Sequence, residues 1–146
     1  MSIRPIRAEA APAVVALRER AWPTRPWNDP HRDIAFARAT PTAEVPALTE
    51  AGALTGAVMV GHDGHRGTVY YLGVEPARAG AGRGRALMAA AEDWLRAHGV
   101  WKINLLVRES NAAVLGFYAA LGYADRQCRV VGKRLDGRAA AAGVRQ

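Results

Sequence analysis

The strongest chemical pattern in the sequence is the stretch YYLGVEPARAGAGRGRAL, in which Gly80, Gly82 and Gly84 alternate. These glycines follow an apolar and aromatic run, Tyr70–Val74, that favours a strand ending near Pro76. A helical sequence, RALMAAAEDWLRA, comes directly after them. The first main-chain N–H groups of a helix have no partner inside it, and the helix dipole adds partial positive charge there. The pattern therefore predicts a loop that binds phosphate.

Two common phosphate-binding motifs do not fit this loop. In the dinucleotide motif G-x-G-x-x-G the last glycine would fall on Arg85 or on Leu87, and no acidic residue lies about 20 positions further on. The P-loop motif fails as well, because no Gly-Lys-Ser or Gly-Lys-Thr follows the glycines. The pattern that is left is V-x-P followed by x-x-G-x-G at the start of a helix.

The composition indicates one folded domain. The chain has 146 residues, half of them apolar, and we expect a single domain over residues 1–137 with a loose alanine-rich tail over 138–146. The only cysteine, Cys128, is expected to be a small core residue. The four histidines and this cysteine lack the spacing of metal ligands, so we expect no metal.

The net charge of +7 suits a partner that carries phosphates. The arginines are spread along the chain and are not grouped with aromatic residues, so we do not expect a nucleic-acid partner. The sequence has no apolar run of 18 residues and no signal sequence at its start. It therefore predicts a soluble, cytoplasmic protein without a membrane partner.

The elements predicted from hydrophobic periodicity and turn residues form a mixed order, β-α-α-β-β-β-α-β-α-β. The predicted strands cover residues 2–7, 42–49, 53–61, 68–74, 101–107 and 127–135. The predicted helices cover 12–20, 30–39, the stretch from the glycine loop to His98, and 112–121. Pro46 suggests that its strand lies at an edge of the sheet or pairs poorly. The order does not alternate strictly, which argues against a doubly wound parallel sheet.

A second segment now joins the glycine loop: Asn111 is followed by Phe117-Tyr118 and then by Gly122-Tyr123. Together the two segments resemble the GNAT acetyltransferases in motif order and spacing. The segments RPWNDP (25–30), GHDGHRG (61–67) and GKRL (132–135) resemble a small bacterial subgroup of that family. The resemblance implies an α/β (mixed α+β) fold whose central, mostly antiparallel sheet is flanked by helices. One position departs from the family loop: Ala79 stands where the family has Gln or Arg.

The resemblance implies that acetyl-CoA is the cofactor and that the acetyl group passes directly to a primary amine of a small molecule, peptide or protein. It also implies a main-chain group at Leu72 that stabilises the oxyanion, and a phenol at Tyr118, with a usual pKa near 10, that protonates the departing thiolate. Asn111 is expected to cap its helix, to contact the cofactor, or to do both. The cofactor-binding residues implied are Leu72, Gly73, Val74, Ala79, Gly80, Ala81, Gly82, Arg83, Gly84, Arg85, Asn111 and Tyr118.

The acceptor side and the general base are less defined. The residues expected on the acceptor side are Arg25, Trp27, Asn28, Asp29, His65 and Tyr70. Thr68 stands where some family members have a glutamate base, so deprotonation would use water or a carboxylate from elsewhere. Glu75 is expected to be a solvated loop residue. The alternative function is a CoA-binding module that does not turn over. The oligomeric state stays open, with a homodimer among the alternatives.

Overall fold

The computed structural model describes residues 1–21 and 28–137. These residues fall into two compact units, one made of residues 1–21 with 28–105 and the other of residues 106–137. The predicted tail, 138–146, and the segment 22–27 lie outside the described residues.

The first unit is built on one sheet. Its strands are β1 (Ser2–Pro5), β2 (Ala43–Glu44), β3 (Pro46–Glu50), β4 (Ala53–His62), β5 (Gly67–Val74) and β6 (Ile103–Leu105). The strand order is β1-β3-β4-β5-β6, and the short β2 pairs with β4. Only β5 and β6 run parallel, while the other pairs are antiparallel. The predicted fold class, a mixed and mostly antiparallel sheet with helices, is confirmed.

The helices are α1 (Ala11–Ala21), α2 (Pro30–Ala39), α3 (Arg83–Ala97) and, in the second unit, α4 (Ala112–Ala120). The two faces of the sheet are covered by different helices. On one face, Leu17 of α1 and Ile34 of α2 belong to the same buried cluster as Ala57 of β4. Gly56, the preceding residue on β4, has its Cβ direction toward Leu87 of α3. Because successive strand residues point to opposite faces, α3 lies on the other side of the sheet.

The helical spacing of Leu87, Ala91, Trp94 or Leu95, and His98 predicts one apolar stripe on α3, and this stripe is confirmed over most of its length. Leu87, Ala91 and Leu95 are buried, as the helical spacing predicts, whereas His98 is exposed. The helix ends where it is expected to end, since Gly99 has a φ of 80°, a conformation that glycine adopts without strain.

We expect Gly67→Ala to destabilise the fold. A Cβ at Gly67 would lie 2.6 Å from Cδ1 and 3.1 Å from Cγ of Leu95, so the buried Leu95 side chain would have to change its rotamer or α3 would have to shift. Overpacking of this kind costs about 1–3 kcal/mol, and a chain of this size loses about 2–4 °C of melting temperature per kcal/mol. Thermal unfolding measures the effect. Gly132→Ala is the control, because nothing lies within 4 Å of its Cβ position. Equal melting temperatures for the two variants would contradict the packing argument.

The weak strand predicted over 42–49 is divided at Val45. Of the two alternatives for Pro46, the edge position is wrong, whereas the interrupted pairing is found. β3 lies between β1 and β4 and is an interior strand. Pro46 is tolerated because it is the first residue of β3: it lies opposite Pro5 of β1, and the pairing with β4 begins only at Ala47.

The strand predicted over 127–135 is also wrong. Within residues 106–137 this segment has no regular secondary structure, and Val131 is 93% exposed. The main-chain N–H of Gln127 donates to Oδ1 of Asp125 over 2.7 Å, and Gln127 takes a left-handed φ of 55°. This local turn replaces the extended geometry that a strand needs. Cys128 is consequently exposed and is not the core residue we expected.

Candidate active site

The glycine loop follows β5 directly. The main-chain N–H of Glu75 donates to the carbonyl of Thr55 over 2.8 Å, which holds the end of the strand. One turn of 3-10 helix, Pro76–Arg78, comes next. Gly80 and Gly82 then take φ values of 83° and 80°. Side chains other than that of glycine rarely adopt this left-handed conformation, so these two glycines determine the path of the loop.

The start of α3 has no side-chain cap. Its N-cap residue is Gly82, and no acidic residue lies in the first turn. The first helical hydrogen bond runs from the N–H of Ala86 to the carbonyl of Gly82 over 3.0 Å. The N–H groups of residues 83–85 therefore have no acceptor within the helix. Main-chain donors and a helix dipole at one point form a binding place for an anion such as phosphate.

An ion pair fixes the loop from outside. Nε and Nη2 of Arg83 donate to the carboxylate of Glu50 at the end of β3 over 2.8 and 3.1 Å, and Nη1 donates to the carbonyl of Arg78 over 2.9 Å. Arg78 also lies 3.5 Å from Glu50. One guanidinium thus joins both ends of the loop to β3. The side chain of Arg83 is used by these contacts, so its main-chain N–H is the group of this residue that is left to bind an anion.

The pH dependence of stability should report this ion pair. The Arg83 side chain lowers the pKa of Glu50 from 4.5 to about 2. Because the folded pKa is depressed, the pair contributes fully above about pH 4.5, and its contribution is lost as the pH falls toward 2. We expect the melting temperatures of the wild type and of Glu50→Gln to differ most above pH 5 and to converge between pH 4.5 and 2. A difference that stays constant down to pH 2.5 would contradict this assignment.

Strand β5 contains a bulge. Tyr70 lies opposite Met59, whereas Gly73 lies opposite Ala57, so β5 has one more residue than β4 over this interval. The additional residue is Tyr71, which takes a φ of 58°. Tyr70 faces the same side of the sheet as its partner Met59, which packs against the cluster built by α1 and α2.

The bulge brings Tyr71 into contact with both of those helices. Its hydroxyl donates to Oδ2 of Asp33 on α2 over 3.0 Å, and the guanidinium carbon of Arg18 on α1 lies 3.3 Å from its ring centroid. We call Arg18, Asp33 and Tyr71 the Tyr71 cluster. Burial, and to a lesser degree the charge of Asp33, raises the pKa of Tyr71, so the phenol stays protonated and continues to donate at neutral pH. The rings of Tyr70 and Tyr71 have centroids 6.1 Å apart.

Arg18 has a donor without a partner. Its Nη1 atom is buried and makes no hydrogen bond within the described structure. Leaving a buried donor unpaired costs about 1–3 kcal/mol, and more when the group is charged. Sequence analysis missed this cluster, since its members are far apart in the chain and the only local signal was the tyrosine pair in YYLGV.

Glu75 is not the solvated loop residue that we expected. Its carboxylate accepts from Nη2 of Arg20 over 2.7 Å and from Nε over 3.1 Å. The pair joins the end of α1 to the end of β5.

The acceptor-side residues predicted from the sequence are found in different places. Arg25 and Trp27 lie outside the described residues. Asn28 and Asp29 precede α2, and Asp29 caps that helix by accepting from the N–H of Arg32 over 3.1 Å. Among the described residues, no hydrogen bond joins Asn28 or Asp29 to the glycine loop.

His65 lies in the hairpin at the other end of β5 from the glycine loop. The eight residues of β5 separate the two by about 26 Å at 3.3 Å per residue. Oδ1 of Asp63 accepts from the N–H groups of His65 and Arg66 over 2.9 and 2.8 Å. These bonds lower the pKa of Asp63 and stabilise the turn between β4 and β5. The hairpin geometry does not bring His65 to the loop.

The second unit carries the other family motif. Asn111 caps α4, since its Oδ1 accepts from the N–H of Val114 over 3.3 Å. Tyr118 is partly buried, with edge-on contacts to Phe117 and Tyr123 at centroid distances of 5.1 and 5.6 Å. Burial raises the pKa of Tyr118, so its hydroxyl is protonated at neutral pH and able to act as an acid. Phe117 is likewise only partly buried.

Two negative findings apply to the described residues alone. No group of three or more His, Cys, Asp or Glu side chains in them is arranged to hold a metal ion. None of the helices over residues 1–21 and 28–137 has the length and apolar character to cross a bilayer.

The site consists of a bulged strand, a glycine loop and the uncapped start of a helix. A comparison of the sequence with known protein families agrees with this arrangement. Residues 11–123 match the acetyltransferase (GNAT) family. The chain belongs to that family. An acetyltransferase of Pectobacterium atrosepticum is 44% identical over 136 residues, which are 92% of this chain and 96% of that protein. A Yersinia pestis protein named as an uncharacterized N-acetyltransferase is 41% identical, with the same coverage of 92% and 96%. This chain is therefore an N-acetyltransferase.

Solved structures show the same fold. The aminoglycoside N-acetyltransferase AAC(6')-Iy in complex with CoA aligns with a TM-score of 0.80 and 15% identity, covering 92% of this chain and 94% of that one. The ribosomal-protein-S18-alanine N-acetyltransferase of Escherichia coli aligns with a TM-score of 0.72 and 27% identity, covering 83% of this chain and 76% of that one.

Proposed function

We propose that the enzyme transfers the acetyl group of acetyl-CoA directly to a primary amine. The observation that carries this proposal is the uncapped start of α3, where the N–H groups of residues 83–85 lack helical acceptors. These donors, with the loop from Ala79 to Gly82, bind the pyrophosphate of CoA. A structure of the same fold solved with CoA supports this choice of cofactor. Ala79 offers no side-chain contact of the kind the family has at this position, so the main chain supplies most of the binding.

The reaction is an addition followed by elimination. The neutral amine forms a bond to the thioester carbonyl carbon, its nitrogen releases one proton to water, the carbon–sulfur bond breaks, and the thiolate accepts a proton. Pantetheine lies along Leu72, Gly73 and Val74, and a main-chain group at Leu72 stabilises the developing oxyanion. Tyr118 protonates the thiolate, and Asn111 contacts the cofactor in addition to capping α4. These roles rest on the family motifs.

The remaining parts of the proposal concern the class of acceptor, the domain organisation, the location and the oligomeric state of the enzyme. The acceptor is a small molecule, a peptide or a protein and not a nucleic acid. A single domain over residues 1–137 and a cytoplasmic location belong to the same proposal, and a homodimer is one assembly to be tested.

Two measurements test the function. Calorimetric titration with CoA should give heat at micromolar to millimolar concentration, and acetyl-CoA with a broad panel of amines should release free thiol. Absence of heat and of any thermal shift at millimolar CoA would contradict the whole proposal. Binding without thiol release for any amine would favour the alternative, a CoA-binding module of the same fold. That alternative is supported by Thr68, which cannot act as a base where some relatives carry glutamate.

A further inference from the structure

The Tyr71 cluster contains a partly buried cation, Arg18, one of whose donor atoms is buried and unused. The Arg18 guanidinium stacks on the Tyr71 ring at 3.3 Å, so one flat face of the cation is covered. Its N–H groups point outward in the guanidinium plane, and Nη1 is buried without a hydrogen-bond partner within the described chain. Buried polar groups in native proteins are nearly always paired. An unpaired donor of this kind indicates an acceptor that arrives with a ligand.

The same cluster contains an anion, the Asp33 carboxylate, that can accept more hydrogen bonds than it does now. Oδ2 of Asp33 accepts one hydrogen bond, from the Tyr71 hydroxyl. A carboxylate has about four lone-pair positions, so Asp33 can accept further bonds from an ammonium group. Arg18 and Asp33 form no ion pair with each other: each contacts a different part of Tyr71. One aromatic side chain therefore holds a cation at its face and an anion at its hydroxyl.

The position of the cluster connects it to the reaction. The bulge turns Tyr71 toward α1 and α2, one residue before Leu72 and two before Gly73. The proposed function assigns those two residues to the thioester. An acceptor held by the cluster would thus lie next to the strand from which it must take the acetyl group.

We propose that the Tyr71 cluster is the acceptor site and that the acceptor is zwitterionic, an amine that also carries a carboxylate, as in a free amino acid. Arg18 binds the carboxylate and Asp33 binds the ammonium group, which passes one proton to water before the neutral amine attacks the thioester. The inference rests on the proposed function. A polycationic acceptor would place a second positive charge near Arg18, and an amine without a carboxylate would leave Nη1 unpaired.

The test compares matched acceptors. The wild-type enzyme and acetyl-CoA are mixed with each of the twenty amino acids, with the corresponding amino acid amides, and with the decarboxylated amines, and free thiol is followed. We expect at least one amino acid to be acetylated with a kcat/KM at least tenfold above those of its amide and its amine. The amide retains a carbonyl but lacks the charge, so it stands for the N-terminus of a peptide.

Variants separate recognition from folding. Arg18→Gln should reduce kcat/KM for the amino acid about tenfold, mainly through KM, and should change the values for the amide and the amine less than twofold. Arg18→Lys keeps the charge without the planar fork and should give a smaller loss. Arg20→Gln removes one charge from the same helix and should leave the preference for the carboxylate unchanged. If Arg18→Gln does not fold, two measurements still test the inference. They are the preference of the wild-type enzyme for the amino acid over its amide and amine, and the loss of kcat/KM in Arg18→Lys.

Several results would overturn the inference. A higher kcat/KM for the amides would assign a peptide N-terminus as acceptor, and a higher value for the decarboxylated amines or for polyamines would exclude a zwitterion. Failure to acetylate any compound while CoA binds would overturn the inference but leave the cofactor site intact. Failure to bind CoA would instead contradict the proposed function itself.

Discussion

Tyr118→Phe should reduce kcat at least tenfold while leaving the dissociation constant for CoA within twofold. The substitution removes one hydroxyl and keeps the ring, whose edge-on contacts with Phe117 and Tyr123 remain available. General acid catalysis contributes about 10²–10⁴-fold where a proton is transferred in the transition state. Since burial raises the pKa of Tyr118, the wild-type hydroxyl carries its proton throughout the physiological range. Steady-state kinetics and calorimetry on the same preparations measure the two quantities.

Tyr123→Phe is the matched control, because it removes the same hydroxyl from a neighbouring ring of the second unit. Its kcat should equal that of the wild type. An unchanged kcat in Tyr118→Phe would remove Tyr118 from the mechanism. A fall in CoA affinity that accounts for the whole effect would assign it to binding.

Glu50→Gln should raise KM for acetyl-CoA about tenfold and change kcat less than twofold. The carboxylate of Glu50 receives two hydrogen bonds from Arg83, with side-chain exposures of only 19% and 16%. A glutamine keeps the shape but offers only one acceptor oxygen and no charge, so Arg83 would lose its fixed position at the start of α3. Because Arg83 also donates to the carbonyl of Arg78, both ends of the glycine loop would lose their support. The chemistry occurs elsewhere and should be unaffected once the cofactor is bound.

Glu92→Gln is a suitable control, because Glu92 lies further along the same helix and its ion pair with Arg96 does not involve the loop. Its KM should match the wild type. A parallel fall in kcat for Glu50→Gln would indicate a wider distortion, and an unchanged KM would show that the loop keeps its shape without the ion pair.

The helix starts, the helix end and the hairpin turn around the cofactor loop could be predicted from residues that are close together in the sequence. Asp29 stands directly before Pro30, a pair that predicts the start of a helix, and it caps α2. Asn111 caps α4 as expected, and Gly99 ends α3. The Asp63-Gly64 turn joins two antiparallel strands. In each case the residues that determine the cap, the helix end or the turn lie within a few positions of one another. The local sequence is therefore enough to predict the feature.

The parts that could not be predicted depend on distant residues. A bulge exists only relative to a partner strand, and nothing in YYLGV indicates that Tyr71 is the additional residue opposite β4. The hydrogen bond from Tyr71 to Asp33 spans 38 positions. Likewise, the apolar residues of 127–135 fit the pattern of a strand. The pattern of apolar and polar residues does not show whether a neighbouring strand is present to pair with, and a local turn at Gln127 forms instead.

The additional residue in β5 also restricts how this chain can vary in length. Side chains alternate between the two faces of a strand, so removing one residue at the bulge would restore regular pleating and exchange the faces of every residue before it or after it. Val69, opposite Val60 on the α3 side, and Gly73, opposite Ala57 on the α1 and α2 side, could then no longer both keep their present neighbours. Insertions and deletions in related sequences should therefore accumulate in surface turns and spare this strand.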